Sequence, residues 1–273
     1  MNNLAVLYKL QGEYARAELL YTKAVEIRRR MLGEKHPSTL ISMNNLALLY
    51  LDQGKNAEAE SLFTKVLEVR RRVLGEEHPS TLNSMNDLAV LYRAQNKYAQ
   101  SERLLIRAVE IRRRVLGEEH PDTLESMYNL ARLYFNEGRY GQAEPLYTKV
   151  LTVRRRILGE EHPDTRNALA SLGEVRLQQG KYAESEPLLR DALNGQSKHS
   201  PESWQRYATQ SMLGASLAAQ AKFAEAEPLL VLGYQGLIQK KAAIPWENRS
   251  TFAQAGERII QLYKDWGKPE KAA

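Results

Sequence analysis

The chain has 273 residues, 39 Lys and Arg against 33 Asp and Glu for a formal charge of +6, and no cysteine. The lack of cysteine removes disulfides and thiolate metal sites, and no apolar run approaches the ~18 residues that suggest a membrane span. With no signal-peptide pattern at its start, the sequence reads as a soluble, cytoplasmic protein without membrane contact. The positive balance is local: triplets at 28–30, 70–72, 112–114 and 154–156 hold 12 arginines, without which the chain would stand at −6.

In chain order, Leu4-Ala5, Tyr8, Gly12, Ala17 and Tyr21 come first, followed by the octapeptide Leu32-Gly-Glu-Lys-His-Pro-Ser-Thr39. The octapeptide returns at 74–81, 116–123 and 158–165, a spacing of 42 residues. A fixed period of this size marks a solenoid, in which each unit buries its apolar face only against its neighbours. In the second unit Leu46, Ala47, Leu49 and Tyr50 lie at helical spacing before Gly54, which predicts a helix A. From about Ala57, the residues Ala59, Leu62, Phe63, Val66, Leu67 and Val69 share one face up to Gly75, which predicts a helix B. The same register holds in repeat three (Leu88-Ala89, Tyr92, Ala99, Leu105), repeat four (Leu130-Ala131, Tyr134, Gly138, Ala143, Tyr147) and repeat five (Leu172-Gly173, Gly180, Leu189).

A polar connector is expected at 195–201, then a sixth unit offset by 41 residues with Leu213-Gly214, Phe223 and Ala226. After an irregular stretch around Ile244-Pro-Trp246, the residues Ile259, Leu262, Tyr263 and Gly267 resemble one last helix A. The organisation read from this is one continuous solenoid: five repeats in 1–195 with the first truncated at its start, a degenerate sixth in 196–241, and a capping helix with the start of a truncated repeat in 242–273. Met1-Asn-Asn-Leu-Ala aligns with Met43-Asn-Asn-Leu-Ala, so the chain is read as starting inside a helix A, and Lys271-Ala-Ala273 as the start of a helix B. Both ends fit a piece of a longer protein, the alternative being an unusual gene start.

Within each linker the glycine is expected to take a left-handed conformation, His-Pro to stop the helix, and Ser or Asp to cap the next one. Asp122 and Glu125 have capping-box spacing. Pro145, Pro187 and Pro228, at one offset in helix B, are expected in the first turn, where a missing N–H costs nothing.

Leu46-Ala47, Tyr50, Gly54, Ala59 and Phe63 resemble the tetratricopeptide repeat, and the 42-residue length with L-G-x-x-H-P-x-T is similar to the kinesin light chain subtype. The resemblance is close over about 2–192 and looser beyond. It implies an all-α, right-handed α-solenoid (superhelix) of helix-turn-helix repeats. The stretch Leu262-Tyr-Lys-Asp-Trp-Gly-Lys-Pro-Glu-Lys-Ala resembles repeat regions attached to bacterial serine/threonine protein kinases, although no kinase glycine-rich or catalytic loop is present. In this family helices A line a concave groove, and the second asparagine of Asn-Asn-Leu-Ala contacts bound peptide. That implies a peptide-binding role for Asn3, Asn45 and Asn129, with Asn44 beside Asn45, and with Asp87 and Ser171 as departures. The alternative is that these asparagines bridge neighbouring helices. Two residues before the helix A tyrosine stand Val6, Leu48 and Val90, then Arg132, with Glu174 at the equivalent place in repeat five. An apolar half followed by a polar half suits a ligand with a hydrophobic segment and a polar flank.

No nucleophile elbow, P-loop or H-E-x-x-H is present, so no catalytic residues, cofactor or metal are expected. The four repeated histidines are too far apart to share an ion, and are expected to hydrogen-bond the linkers. The arginine triplets complement the helix B dipole, or alternatively form a basic ladder for phosphates or acidic proteins. The function expected is a non-enzymatic scaffold that binds a protein or peptide segment, without specific nucleic-acid recognition. The alternatives are a regulatory or sensor segment of a larger signalling protein, a kinase or a nucleotide-dependent switch, and a polyanion or nucleic-acid binder through the arginine ladder.

Overall fold

The computed structural model describes residues 1–272; Ala273, at the expected start of a further helix B, lies outside the described residues. Among them are thirteen α-helices, three short 3-10 helices and no strand, an all-α solenoid of helix pairs. They divide into two compact units, 1–126 and 127–273. The first contains α1 (Asn2–Leu10), α2 (Tyr14–Leu32), α3 (Pro37–Asp52), α4 (Asn56–Leu74), α5 (Pro79–Ala94), α6 (Tyr98–Leu116) and the opening of α7 (Pro121–Asn136). The second holds the rest of α7, then α8 (Tyr140–Leu158), α9 (Pro163–Gln178), α10 (Tyr182–His199), α11 (Trp204–Ala219), α12 (Phe223–Gln239) and α13 (Ser250–Asp265). Odd-numbered helices are the A helices of the sequence register and even-numbered ones the B helices.

Each interface is built from the periodic apolar residues. In the first unit Ala17, Tyr21 and Val25 of α2 meet Met43, Leu46 and Leu49 of α3 in one buried cluster. Small residues let the helices of a pair close up: Ala47, Ala89 and Ala131 are fully buried. Gly173 and Gly214 take that place later in the chain, where an added Cβ would lie 2.8 Å and 2.6 Å from the Leu189 and Leu230 side chains. No helix among the described residues is long and apolar enough to cross a membrane.

The linkers correct the expected capping. Gly75 has φ +87° and ψ +166°, which is not the left-handed helical region but an extended one open essentially to glycine alone. The N-cap is His78, not Ser80: its Nδ1 accepts a hydrogen bond from the Ser80 N–H at 3.1 Å, and Pro79 begins the helix. His36 and His162 do the same at 3.1 Å and His120 at 3.2 Å. Asp122 lies inside the first turn of α7, so it cannot be the cap of a capping box. The linker threonine has its own task, since Thr39, Thr81 and Thr123 donate to the carbonyls of Gly33, Gly75 and Gly117.

The arginine triplet divides by position. Its first member is a clasp to the next repeat: Arg28, Arg70 and Arg112 donate to a backbone carbonyl (Ser38, Ser80, Asp122) and to a serine hydroxyl (Ser42, Ser84, Ser126) of the following helix A. Arg112 is only 1% exposed. The second member pairs with the linker glutamate, as in Arg29–Glu34 (3.5 Å), Arg71–Glu76 (3.5 Å), Arg113–Glu118 (3.3 Å) and Arg155–Glu160 (2.7 Å). The basic ladder is therefore interleaved with acid.

Two further expectations are corrected. Pro145, Pro187 and Pro228 lie inside their helices, beyond the first turn. Each costs one backbone hydrogen bond, tolerable because all three residues are exposed and water can serve the freed carbonyl. The connector expected from Gly195 is helical as far as His199, so the break between repeats five and six is confined to 200–203. Packing that buries Ala192, Gly195 and Gln196 carries the helix through a run whose Asn194, Gly195 and Ser197 are poor helix formers.

Candidate functional site

On the first unit the two asparagines of the Asn-Asn-Leu-Ala register behave differently. The first of the pair bridges repeats: Asn2 Nδ2 donates to Ser42 Oγ at 3.4 Å and Asn86 Nδ2 to Ser126 Oγ at 3.1 Å. At the second position Asn3 is exposed and Asn45 half-buried, and Leu48 and Val90, one turn on, are half-buried as well. Such residues line an accessible face without belonging to the core.

Asp87 stands where Asn3 and Asn45 do in their repeats, and its environment is unusual. Burial pushes its carboxyl from 3.8 up to about 6, against the pull of a hydrogen bond from Asn44 and the charge of Arg70. Asn44 Oδ1 is buried and has no hydrogen-bond partner. The helix A face of the first unit thus carries apolar side chains beside a carboxylate and carboxamides with capacity to spare.

In the second unit the corresponding face borders a partly open cavity of about 340 Å³. Three predicted residues, Arg132, Ser171 and Glu174, line it together with Tyr128, Trp204, Met212 and Arg258. Asn129 is half-buried on the same helix but is not part of the lining. Tyr128 OH and Ser171 Oγ share a hydrogen bond of 2.8 Å. Arg132 donates to Asn248 Oδ1, and Arg258 pairs with Glu174 at 3.3 Å, so the segment from Asn248 to Arg258 closes over helices A of repeats four and five. Burial raises the pKa of Glu174, with Arg258 and Arg132 opposing, while burial lowers that of Arg258 against the pull of Glu174.

Sequence reasoning missed Arg258, Asn248 and Trp204. Arg258 was within reach of it, because Arg258 precedes Ile259 as Asn45 precedes Leu46 and Asn129 precedes Leu130. Its pairing with a residue 84 positions away carried no sequence signal.

Comparison with known proteins agrees with the repeat geometry. The family profile described as tetratricopeptide repeat matches at residues 1–72, 43–105, 94–154 and 126–198. No curated protein matches. Among solved structures, one described as a Podospora anserina kinesin light chain of nearly identical TPR-like repeats is 31% identical, covering 76% of this chain and 97% of that one at a TM-score of 0.62. BtubC (BKLC) from P. vanneervenii is 20% identical over 84% of this chain and 92% of its own, with a TM-score of 0.70. A Rap protein complexed with competence and sporulation factor shares the fold at 14% identity and a TM-score of 0.62, covering 98% of this chain and 75% of that one. On its repeats, their helix pairs and these matches, the chain belongs to the tetratricopeptide-repeat family.

Proposed function

We propose that this chain is a protein-interaction module that holds an extended protein or peptide segment on its helix A faces. The observation that carries the reading is the split at the Asn-Asn pair. Asn2 and Asn86 are consumed in bridging repeats, whereas Asn3, Asn45 and Asn129 remain accessible or half-buried at a position where a carboxamide can donate to and accept from a peptide backbone. Leu48 and Val90 supply apolar contacts, and Asp87, Arg132 and Glu174 supply charge. A ligand with an apolar stretch and a polar flank suits that series.

The polyanion reading is disfavoured by the ion pairs of the second arginines with linker glutamates, which cancel charge along the edge. A sensor segment of a larger signalling protein is the second reading, favoured by the partly open cavity in the second unit and by the Rap protein of this fold that is seen complexed with competence and sporulation factor. The test is a peptide array probed with the wild type and with Asn45→Ala plus Asn129→Ala. Each lost hydrogen bond is worth ~0.5–1.5 kcal/mol, so binding should weaken about tenfold or more with the melting temperature unchanged. Wild-type binding by a folded double variant would place the ligand on another face.

A further inference from the structure

A row of apolar side chains stands open to solvent along one edge of the first unit. The last two residues of each helix B are Met31-Leu32 in α2, Val73-Leu74 in α4 and Val115-Leu116 in α6, and the pair returns in the second unit as Ile157-Leu158. Met31 is 73% exposed, Val73 48% and Val115 49%. Valine is a poor helix former, and at such exposure it adds little to the core, so neither the helix nor the packing of the unit calls for it here. A single exposed apolar residue needs no explanation, but a row that repeats in register marks a contact surface.

Ion pairs brace this edge. Glu34 meets Arg29 at 3.5 Å and Lys65 of the following helix B at 2.5 Å, Glu76 meets Arg71 at 3.5 Å and Arg107 of the following helix B at 2.5 Å, and Glu77 meets Arg114 at 2.5 Å. Each of these linkers is thus tied to the helix B of the next repeat, which keeps successive apolar rungs at one spacing. The same pairs set carboxylates among the arginines, so the edge offers an anionic lipid surface little of the attraction that an unopposed basic cluster would.

Equally spaced rungs are matched rung for rung by a partner of the same period, and a second copy of this chain has that period. We propose that the protein self-associates through this edge, two copies pairing antiparallel about a two-fold axis, so that Val73-Leu74 meets its own counterpart and Met31-Leu32 meets Val115-Leu116. Charge sets the direction. A parallel pairing puts the exposed Lys35 against Lys35 of the other copy, whereas the antiparallel one brings it to the third linker, where Glu119 holds the same place. Three rungs make a small interface, so the dimer is in exchange with monomer. Its apolar residues lie on helices B, and the proposal is independent of the helix A faces.

The test is sedimentation velocity of the full chain over a hundredfold range of concentration, which should show a monomer–dimer equilibrium. Val73→Lys sets two like charges against each other at the centre of the contact and should weaken the dimer at least tenfold, with the melting temperature of the dilute protein unchanged. Because the chain has no cysteine, an introduced thiol reports position without interference. With a short bismaleimide, Val73→Cys should link to itself, while Met31→Cys and Val115→Cys should each stay monomeric alone and link when mixed. A monomer at every concentration overturns the proposal, as does a monomer that instead binds vesicles of phosphatidylcholine and phosphatidylserine. A dimer that ignores Val73→Lys overturns the assignment to this edge, and Met31→Cys linking to itself overturns the antiparallel arrangement.

Discussion

Replacing Asp87 by Asn, the residue that Asn45 supplies at the same place one repeat earlier, should stabilise the protein at neutral pH. The Asp87 carboxyl is raised from 3.8 to about 6, chiefly by burial, so burial outweighs the hydrogen bond from Asn44 and the attraction of Arg70. A group whose folded pKa exceeds its unfolded value binds more protons in the folded state between the two. Stability therefore falls as pH rises from about 4 to about 6 and stays low above that. About two pH units at ~1.4 kcal/mol each set an upper limit of roughly 3 kcal/mol, and partial access of solvent to this half-buried side chain reduces it to roughly 1–3 kcal/mol. The neutral carboxamide keeps an acceptor for Asn44 and removes the pH dependence. Urea melts of both proteins at pH 4, 5, 6 and 7 should show curves that nearly coincide at the acid end and separate towards neutrality, with the variant more stable. A variant less stable than wild type at pH 7, with the gap closing in acid, would mean that Arg70 and Arg112 hold the carboxylate more strongly than burial opposes it, and would refute the reasoning.

Removing one N-cap by His120→Ala should lower stability by ~1 kcal/mol, read in chemical denaturation, because the Asp122 N–H loses its acceptor. Arg112→Ala should cost ~3 kcal/mol or more, since it empties a buried volume and strips partners from Ser126 and the Asp122 carbonyl. Arg113→Gln, which loses only the exposed pair with Glu118, should stay within ~0.5 kcal/mol by the same measurement. Gly195→Ala drives a methyl group into the Arg166 guanidinium, so its melting temperature should fall, and an additional Arg166→Leu should recover part of the loss.

The fold was legible because every repeat carries its instructions locally. The apolar spacing of Ala59, Phe63 and Val66 marks a helix face, and Gly75 with His78-Pro79 marks a boundary, whatever lies elsewhere in the chain. The caps were misread because Ser and Asp have the stronger general preference, whereas the extended backbone that Pro79 imposes on His78 points Nδ1 at the Ser80 N–H. The site was legible only in part. Periodicity ranks Arg132 and Glu174 as departures, but nothing in it says that a longer linker brings Asn248 and Arg258 to them. The titration of Asp87 was likewise invisible, since it depends on how far water is excluded and not on residue type.

The junction between repeats has a consequence for how such a chain is made. The glycine carbonyl, the threonine that holds it, the capping histidine and the clasp from Arg70 to Ser84 all lie within 14 positions of sequence. Joining one helix pair to the next closes only short loops, so assembly can begin at any junction and spread in either direction without waiting for distant segments to meet. The same economy applies to inheritance. A duplicated stretch of one period arrives with both halves of its joint already written into it, and the array can lengthen by copying without designing a new contact.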